Sequence, residues 1–217
     1  MLNLSFQPTT HPLRVLCLGA HSDDIEIGCA GTLSRLFRER ECAVHWVVLS
    51  AAAERQAEAR SSAEVILNGA VESTIVIQSF RESYFPVVQA SLKDFFEELK
   101  GATAPDVVFT HYRNDVHQDH LTVAQLTWNT YRDHLVLEYE IPKYEGDLGH
   151  PNLYVPLSRA QGEKKIEHLH SHFPSQASRR WFRPETFRAL MTIRGVECNA
   201  PEGYAEAFHV RKARLEL

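Results

Sequence analysis

The sequence lacks the features that mark several large classes of protein. Its 217 residues contain no apolar run close to the about 20 residues that a membrane-spanning helix requires. Residues 1–12 have neither the basic nor the apolar region of a signal peptide. The four cysteines show no Cys-x-x-Cys spacing, which argues against a disulfide framework or a cysteine zinc site. We therefore expect no membrane span and a reducing, cytoplasmic location.

An excess of positive charge is also lacking. The chain has 23 Lys and Arg against 28 Asp and Glu, a net charge of -5, whereas binding to nucleic-acid phosphates requires clustered basic residues. One basic stretch, residues 179–183, is interpreted as a solvated face or a subunit contact rather than an anion site. We expect no nucleic-acid partner, and a homo-oligomer stays open.

A glycine-rich nucleotide-binding turn is missing as well. Gly19, Gly28 and Gly31 follow the first apolar run, but their spacing does not fit G-x-G-x-x-G. Asp23 and Asp24 lie where a pyrophosphate would have to bind, and two carboxylates would repel it. A cation suits this position better than a nucleotide.

Short apolar runs alternate with segments of helical spacing along the chain. This alternation predicts βαβ units in a single Rossmann-like, three-layer α/β domain over residues 1–217. We expect a mostly parallel sheet with strand order 3-2-1-4-5. The predicted strands are residues 14–19, 43–49, 73–77, 106–110 and 135–141, with 204–210 as an edge strand. The predicted helices are residues 28–40, 54–67, 92–100, 121–133 and 161–172, and residues 142–156 are expected to form a long loop or flap.

Two short polar segments follow two of these strands. Residues 20–26 (Ala-His-Ser-Asp-Asp-Ile-Glu) follow the first strand, and residues 117–120 (His-Gln-Asp-His) follow the fourth. In the expected order these strands are neighbours, so both segments meet at the carboxyl ends of the strands. Two or more imidazoles, a carboxylate ligand and one spare carboxylate are the groups of a hydrolytic metal site. Taken singly, each aspartate could instead cap a helix.

The two segments resemble the paired motifs of the PIG-L/LmbE-like N-deacetylases, zinc-dependent enzymes that remove acyl groups from N-acetylated amino sugars. The family's motif A-H-P-D-D-x-E corresponds to residues 20–26, and its motif H-x-D-H corresponds to residues 117–120. Weaker similarity extends over nearly the full length. Ser22 stands where the family has proline, and residues 50–53 replace a glycine-containing loop beside the substrate pocket. The resemblance therefore does not carry over the identity of the substrate.

The resemblance implies that His21, Asp24 and His120 are zinc ligands. Other divalent transition metals, iron(II) or cobalt among them, could occupy such a site. Asp23 adjoins a ligand and is spare, so we expect it to act as the general base. His117, in its protonated form, is expected to stabilise the tetrahedral oxyanion.

Four further residues have two interpretations each. Asp119 is expected to hold His117 or another site histidine in position, or else to cap the following helix. Arg55 is expected to bind the substrate's hydroxyl groups or a phosphate, or else to be a solvated charge. His111 and Asp115 are interpreted as structural support for their loop, with a functional role left open.

The leading hypothesis is a zinc-dependent hydrolase that removes the N-acetyl group from an N-acetylglucosamine-type sugar or sugar conjugate. Its partner would be a small-molecule amino sugar. One alternative is a metal-dependent amidohydrolase that acts on a non-sugar N-acyl substrate. Another is a metal-binding protein without catalysis, although binding alone does not require the spare Asp23. The sequence leaves open which sugar is the substrate.

Overall fold

Residues 3–7 and 10–214 are described by a computed structural model of the chain. Over residues 13–139 strands and helices alternate, as the sequence predicts. The elements are β1 Leu13–Gly19, α1 Asp24–Glu39, β2 Cys42–Val48, α2 Ala53–Leu67, β3 Glu72–Ile77, α3 Gln89–Ala102, β4 Val107–His111, α4 Gln118–Thr130, β5 Leu135–Tyr139, β6 Leu153–Leu157, α5 Arg159–His172, a 3-10 turn Pro174–Gln176, α6 Pro184–Cys198 and β7 Tyr204–Val210. No helix in this part of the chain is long and apolar enough to cross a membrane.

The strands form one sheet with the order β3-β2-β1-β4-β5-β7-β6. Strands β1 to β5 are parallel, which confirms the predicted order 3-2-1-4-5. Two predictions at the other end are wrong. Strand β7 is not an edge strand, because it lies antiparallel between β5 and β6. The predicted loop 142–156 ends in β6, which forms the edge.

Helices cover both faces of this sheet because the central strands are apolar on both faces. In β1, Val15 and Cys17 belong to the core that also contains side chains of α1, α2, α5 and α6. Leu16 and Leu18 point to a second core shared with α3 and α4. A strand buried on both faces is a continuous apolar run, which is how β1 is found in the sequence. The fold is therefore the predicted three-layer α/β arrangement.

Helix α6 is absent from the sequence-based prediction. Its buried residues are Phe187, Met191, Arg194 and Gly195, so half of the buried stripe is not apolar. The helix does begin with Pro184 in its first turn, where the missing N–H costs nothing. It ends at Asn199, whose left-handed φ of 53° is a common helix terminator. These two terminal signals could have located it.

The two helices that follow the polar motifs begin earlier than predicted. Helix α1 starts at Asp24 and α4 starts at Gln118, so both polar motifs include the first turn of a helix. Gly28 lets α1 approach β5 closely, because a Cβ at this position would lie 2.3 Å from Cδ2 of Tyr139. The Tyr139 hydroxyl in turn donates a 2.6 Å hydrogen bond to the carbonyl of Leu18 in β1. These contacts fix α1 against the two strands behind the candidate site.

Candidate metal centre

The two polar segments meet at the carboxyl ends of β1 and β4. These strands are neighbours in the sheet, with Cys17 opposite Phe109. The segments are joined by a contact of 3.2 Å between Nδ1 of His21 and Nε2 of His120. This contact agrees with the predicted meeting of two segments about a hundred residues apart in sequence.

The three residues that the resemblance marks as ligands form one buried group. Nδ1 of His21 lies 3.3 Å from Oδ2 of Asp24, and Nε2 of His120 lies 3.5 Å from Oδ1 of the same carboxylate. Four ligands at about 2.0–2.2 Å in a tetrahedron lie about 3.3–3.6 Å from one another. The separations among His21, Asp24 and His120, called the triad below, are therefore close to those of ligands around one metal ion.

In each of the two imidazoles, the ring nitrogen that faces away from the triad, here called the outer nitrogen, contacts a carboxylate. The other ring nitrogen is the inner nitrogen. Nε2 of His21 lies 3.1 Å from Oδ2 of Asp119, and Nδ1 of His120 lies 2.9 Å from Oδ2 of Asp115. A carboxylate behind a ring fixes its tautomer and leaves the lone pair on the inner nitrogen, an arrangement typical of metal-binding histidines. The carboxylate of Asp119 thus contacts His21 rather than His117.

The local charge favours a cation between these groups. Burial would lower the pKa of His21, but Asp24 and Asp119 outweigh it and raise this pKa to about 10. Burial and the neighbouring His111 lower the pKa of His120 to about 3, so its ring is neutral. If both rings were neutral, the lone pairs on Nδ1 of His21 and Nε2 of His120 would face each other beside the carboxylate of Asp24. A positive charge is needed here, either a proton on His21 or a metal ion, so the residues fit a metal.

His111 lies closer to this group than its interpretation as loop support implies. Its ring stacks on His120 with centroids 4.0 Å apart, and its Nε2 lies 3.2 Å from Oδ2 of Asp24. Besides the triad, two other sets of side chains that share His120 lie close enough together to hold an ion: Asp24, His111 and His120, and His21, His117 and His120. Nε2 of His111 accepts the N–H of Ala20 at 3.0 Å, which occupies its lone pair. The position of His111 at the end of β4 is the signal that could have placed it here.

Asp23 is buried beside the triad. It stands at the N-cap position of α1 but makes no side-chain capping bond, so the capping interpretation does not account for it. Its Oδ1 accepts a 3.0 Å bond from Nη2 of Arg55, while its Oδ2 has no hydrogen-bond partner within the described residues. Burial and the charge of Asp24 raise the pKa of Asp23 to about 6, although Arg55 and His21 oppose the shift.

Arg55 lies in the first turn of α2 and contacts two carboxylates. Besides its bond to Asp23, its Nη1 lies 3.3 Å from Oε2 of Glu82. The Arg55 side chain is 16% exposed, so it is not the solvated charge of the second interpretation. The structure places it on Asp23, and its expected contact with a substrate stays a prediction.

His117 is half-buried and sits at the N-cap of α4. Its Nδ1 accepts the N–H of Asp119 at 3.3 Å, so this histidine caps the helix rather than Asp119. Burial and the nearby His21 lower the pKa of His117. The structure therefore favours a neutral ring with a proton on Nε2, in place of the protonated form expected from the sequence. A neutral ring of this kind can still donate a hydrogen bond.

Fold and site together define a class: an α/β protein with a histidine–carboxylate centre at the carboxyl ends of parallel strands. Residues 16–131 match the family described as "PIG-L: GlcNAc-PI de-N-acetylase", which is more than half of the chain. The protein belongs to this family, as the motif resemblance predicts. No curated protein matches the sequence significantly.

Solved structures share the fold at low sequence identity. The conserved protein TT1542 from Thermus thermophilus aligns with a TM-score of 0.72 and 19% identity, covering 94% of this chain and 97% of that chain. The N,N'-diacetylchitobiose deacetylase from Pyrococcus horikoshii gives 0.67 and 19%, covering 91% and 83%. GalB, the 4-carboxy-2-hydroxymuconate hydratase from Pseudomonas putida, gives 0.68 and 17%, covering 94% and 98%. The same fold thus occurs with different activities, so the activity has to be argued from the site.

Proposed function

We propose that this protein is a zinc-dependent N-deacetylase that hydrolyses the N-acetyl group of an N-acetylglucosamine-type sugar or sugar conjugate. The observation that carries the proposal is the convergence of His21, Asp24 and His120 beside a buried Asp23 with one free oxygen. The family description and the fold shared with the N,N'-diacetylchitobiose deacetylase support an N-acetylated sugar as the substrate.

His21, Asp24 and His120 would hold the metal. When bound, a zinc ion would supply a Lewis acid for the amide carbonyl and lower the pKa of a water to about 7. Asp115 and Asp119 contact the outer nitrogens of the two imidazoles and would keep the inner nitrogens available to the ion. The burial of all three ligands strengthens the electrostatic interactions at this point.

Asp23 is the proton carrier in this proposal. Arg55 holds Oδ1 and leaves Oδ2 free to accept the proton of the attacking water. The raised pKa of Asp23, about 6, brings the carboxyl near the working pH, which suits a group that must both accept and return a proton. Asp23 then delivers the proton to the nitrogen of the leaving amine.

His117 is positioned to stabilise the developing oxyanion. Its Nδ1 is occupied by the N–H of Asp119, so the proton resides on Nε2. The ring lies edge-on to His21, with centroids 5.0 Å apart, and this places it at the rim of the triad. A donor fixed in this way can hydrogen-bond to a tetrahedral intermediate without reorganisation.

The test is a panel of N-acetylated substrates assayed for both acetate and primary amine. N-acetylglucosamine, its glycosides and N,N'-diacetylchitobiose represent the sugars, and N-acetylated amino acids represent non-sugar amides. Each is assayed with the protein as purified, after chelation, and after addition of zinc, iron(II) or cobalt(II). We expect release from a sugar that chelation abolishes and a divalent metal restores. Release only from N-acetyl amino acids would indicate the non-sugar amidohydrolase, and tight metal binding without any turnover would indicate the non-catalytic alternative.

The role of Asp23 is tested by Asp23→Asn. This substitution removes the proton acceptor but no predicted ligand, so turnover should fall by at least about 10²-fold while zinc binding persists. Asp106→Asn is the matched control. Asp106 directly precedes β4 and pairs with Arg14 of β1, at the end of these strands away from the site. Retention of activity in Asp23→Asn would exclude Asp23 as the base.

A further inference from the structure

A buried lysine outside both motifs contacts Asp115, the carboxylate that is hydrogen-bonded to the ring of His120. Lys143 lies between β5 and β6, and its side chain is only 7% exposed. Its Nζ lies 2.9 Å from Oδ2 of Asp115 and 2.7 Å from each carboxylate oxygen of Asp147. The same Asp115 oxygen lies 2.9 Å from Nδ1 of His120. One oxygen therefore joins the lysine to the imidazole.

Asp115 has no freedom left once these bonds are made. Its Oδ1 accepts the N–H of His117 at 2.8 Å, and its Oδ2 lies between His120 and Lys143. Asp147 accepts the N–H of Val116 at 2.8 Å, so the segment after β5 is attached to the segment after β4 at two points. The orientation of the His120 ring depends on this arrangement, because Asp115 holds its outer nitrogen.

We propose that Lys143 is a positioning residue for the metal centre, which holds Asp115 in place and through it the ligand His120. Without the ammonium group, the buried carboxylates of Asp115 and Asp147 would face each other with no cation between them. Their repulsion would turn Asp115 away from His120 and leave the ring free to rotate. The inference rests on the proposed function, because it takes His120 as a metal ligand.

The experiment measures zinc affinity of the full chain by competition with a chromophoric chelator. Lys143→Met should weaken zinc binding about 10- to 100-fold. The substitution should displace Asp115, and losing the carboxylate that orients a metal-binding histidine usually has an effect of this size. Lys143→Arg keeps the positive charge and should stay within about threefold of the wild type. If Lys143→Met does not fold, Lys143→Gln replaces it with the same expectation.

Lys165→Met is the matched control for the loss of a buried lysine. Lys165 is equally buried, pairs with Glu206 at 2.5 Å and donates to the carbonyl of Ile27, without contact to the triad. It should lower the melting temperature but leave zinc affinity within about threefold of the wild type. An equal loss of affinity in both lysine variants would mean that the effect is general destabilisation and would overturn the inference.

A double-mutant cycle tests whether Lys143 acts through Asp115. Asp115→Asn alone should weaken zinc binding at least as much as Lys143→Met, and the double variant should be little weaker than Asp115→Asn. Additive losses would contradict the inference, as would full zinc affinity in a folded Lys143→Met. If the wild type itself binds no divalent metal, the proposed function fails, whereas normal binding in Lys143→Met leaves that function intact and removes only the role of Lys143.

Discussion

At the scale of single residues, the four clustered histidines differ in the hydrogen-bond partner of one ring nitrogen. We use this difference to assign their proposed roles. His21 and His120 each have a carboxylate at the outer nitrogen, and their inner nitrogens lie close to Asp24. His117 uses one nitrogen to cap α4, and His111 accepts a backbone N–H. These hydrogen bonds are the reason why similar rings in one cluster are proposed to differ in role, as ligand, donor or support.

His117→Ala distinguishes two sets of side chains that could hold an ion: the proposed triad of His21, Asp24 and His120, and the set of His21, His117 and His120. If His117 is the oxyanion donor, the substitution should lower kcat about 10²- to 10³-fold with little change in zinc affinity. His120→Ala, which removes a member of both sets, should lose the metal. Steady-state kinetics and elemental analysis of the purified variants provide the two measurements. Loss of zinc from His117→Ala would instead support the set of His21, His117 and His120.

At the scale of elements, the site depends on how closely α1 approaches the sheet. Asp23 and Asp24 stand at the start of α1, and the first turn of this helix continues into Gly28. The absence of a side chain at Gly28 allows contact with Tyr139, whose hydroxyl binds the backbone of β1. The positions of the two aspartates relative to β1 and β4 therefore depend on one close contact between a helix and a strand.

Gly28→Ala should destabilise the protein by about 1–3 kcal/mol, because the added Cβ would lie 2.3 Å from the Tyr139 ring. Gly101→Ala is a suitable control, since Gly101 lies near the end of α3 and a Cβ there meets nothing within 4 Å. The control should be neutral or stabilising by up to about 1 kcal/mol, because alanine favours helix more than glycine does. Urea unfolding of both variants measures the difference. Equal stability of the two variants would show that the contact with Tyr139 is not limiting.

At the scale of the whole molecule, buried ion pairs attach the carboxyl-terminal elements to the parallel sheet. Glu140, directly after β5, accepts two hydrogen bonds from Arg194 of α6 at 2.9 and 2.8 Å. Glu206 of β7 pairs with Lys165 of α5 and accepts the N–H groups of Gly31 and Thr32 in α1. Removing one partner of a buried pair leaves an uncompensated charge, so these pairs hold α6 and β7 in place.

The Glu140 pair predicts a stability that depends on pH. Burial would raise the pKa of Glu140, but the nearby His209 ring, 3.7 Å from Oε1, and the hydrogen-bonded guanidinium of Arg194 outweigh it and lower this pKa below the usual value of about 4.3. The stabilisation is therefore fully present above about pH 4.3 and is lost as the pH falls through the lowered folded-state pKa. Glu140→Gln should cost about 3–5 kcal/mol at pH 7, and its deficit against the wild type should shrink below about pH 4. Urea unfolding at both pH values is the measurement, and a deficit that does not change with pH would refute the linkage.

Much of this architecture can be predicted from the sequence because its signals are local. The apolar strands β1, β2 and β4 are short buried runs, and the order of the first five strands follows from the preferences of parallel sheets. The interior position of β7 could not be predicted in this way. Helix α6 has local signals at its two ends, but its buried stripe includes Arg194 and therefore lacks the apolar pattern of a helix. Arg194, Glu206 and His209 look like surface residues in the sequence, because their partners come from distant segments.

The sequence by itself determined which histidine and aspartate residues follow the first and fourth strands, and therefore which polar side chains lie at one edge of the sheet. Residues that follow neighbouring parallel strands share one edge of the sheet, so residues 20–26 and 117–120 are expected to meet. The family resemblance then marks His21, Asp24 and His120 among them as the expected ligands. Only the tertiary structure decided the rest of the arrangement. It placed Asp119 behind His21, Asp115 behind His120 and Lys143 behind Asp115. The physical reason is that a hydrogen bond or ion pair between distant segments has no periodicity or spacing in the sequence, and exists only once the chain has folded.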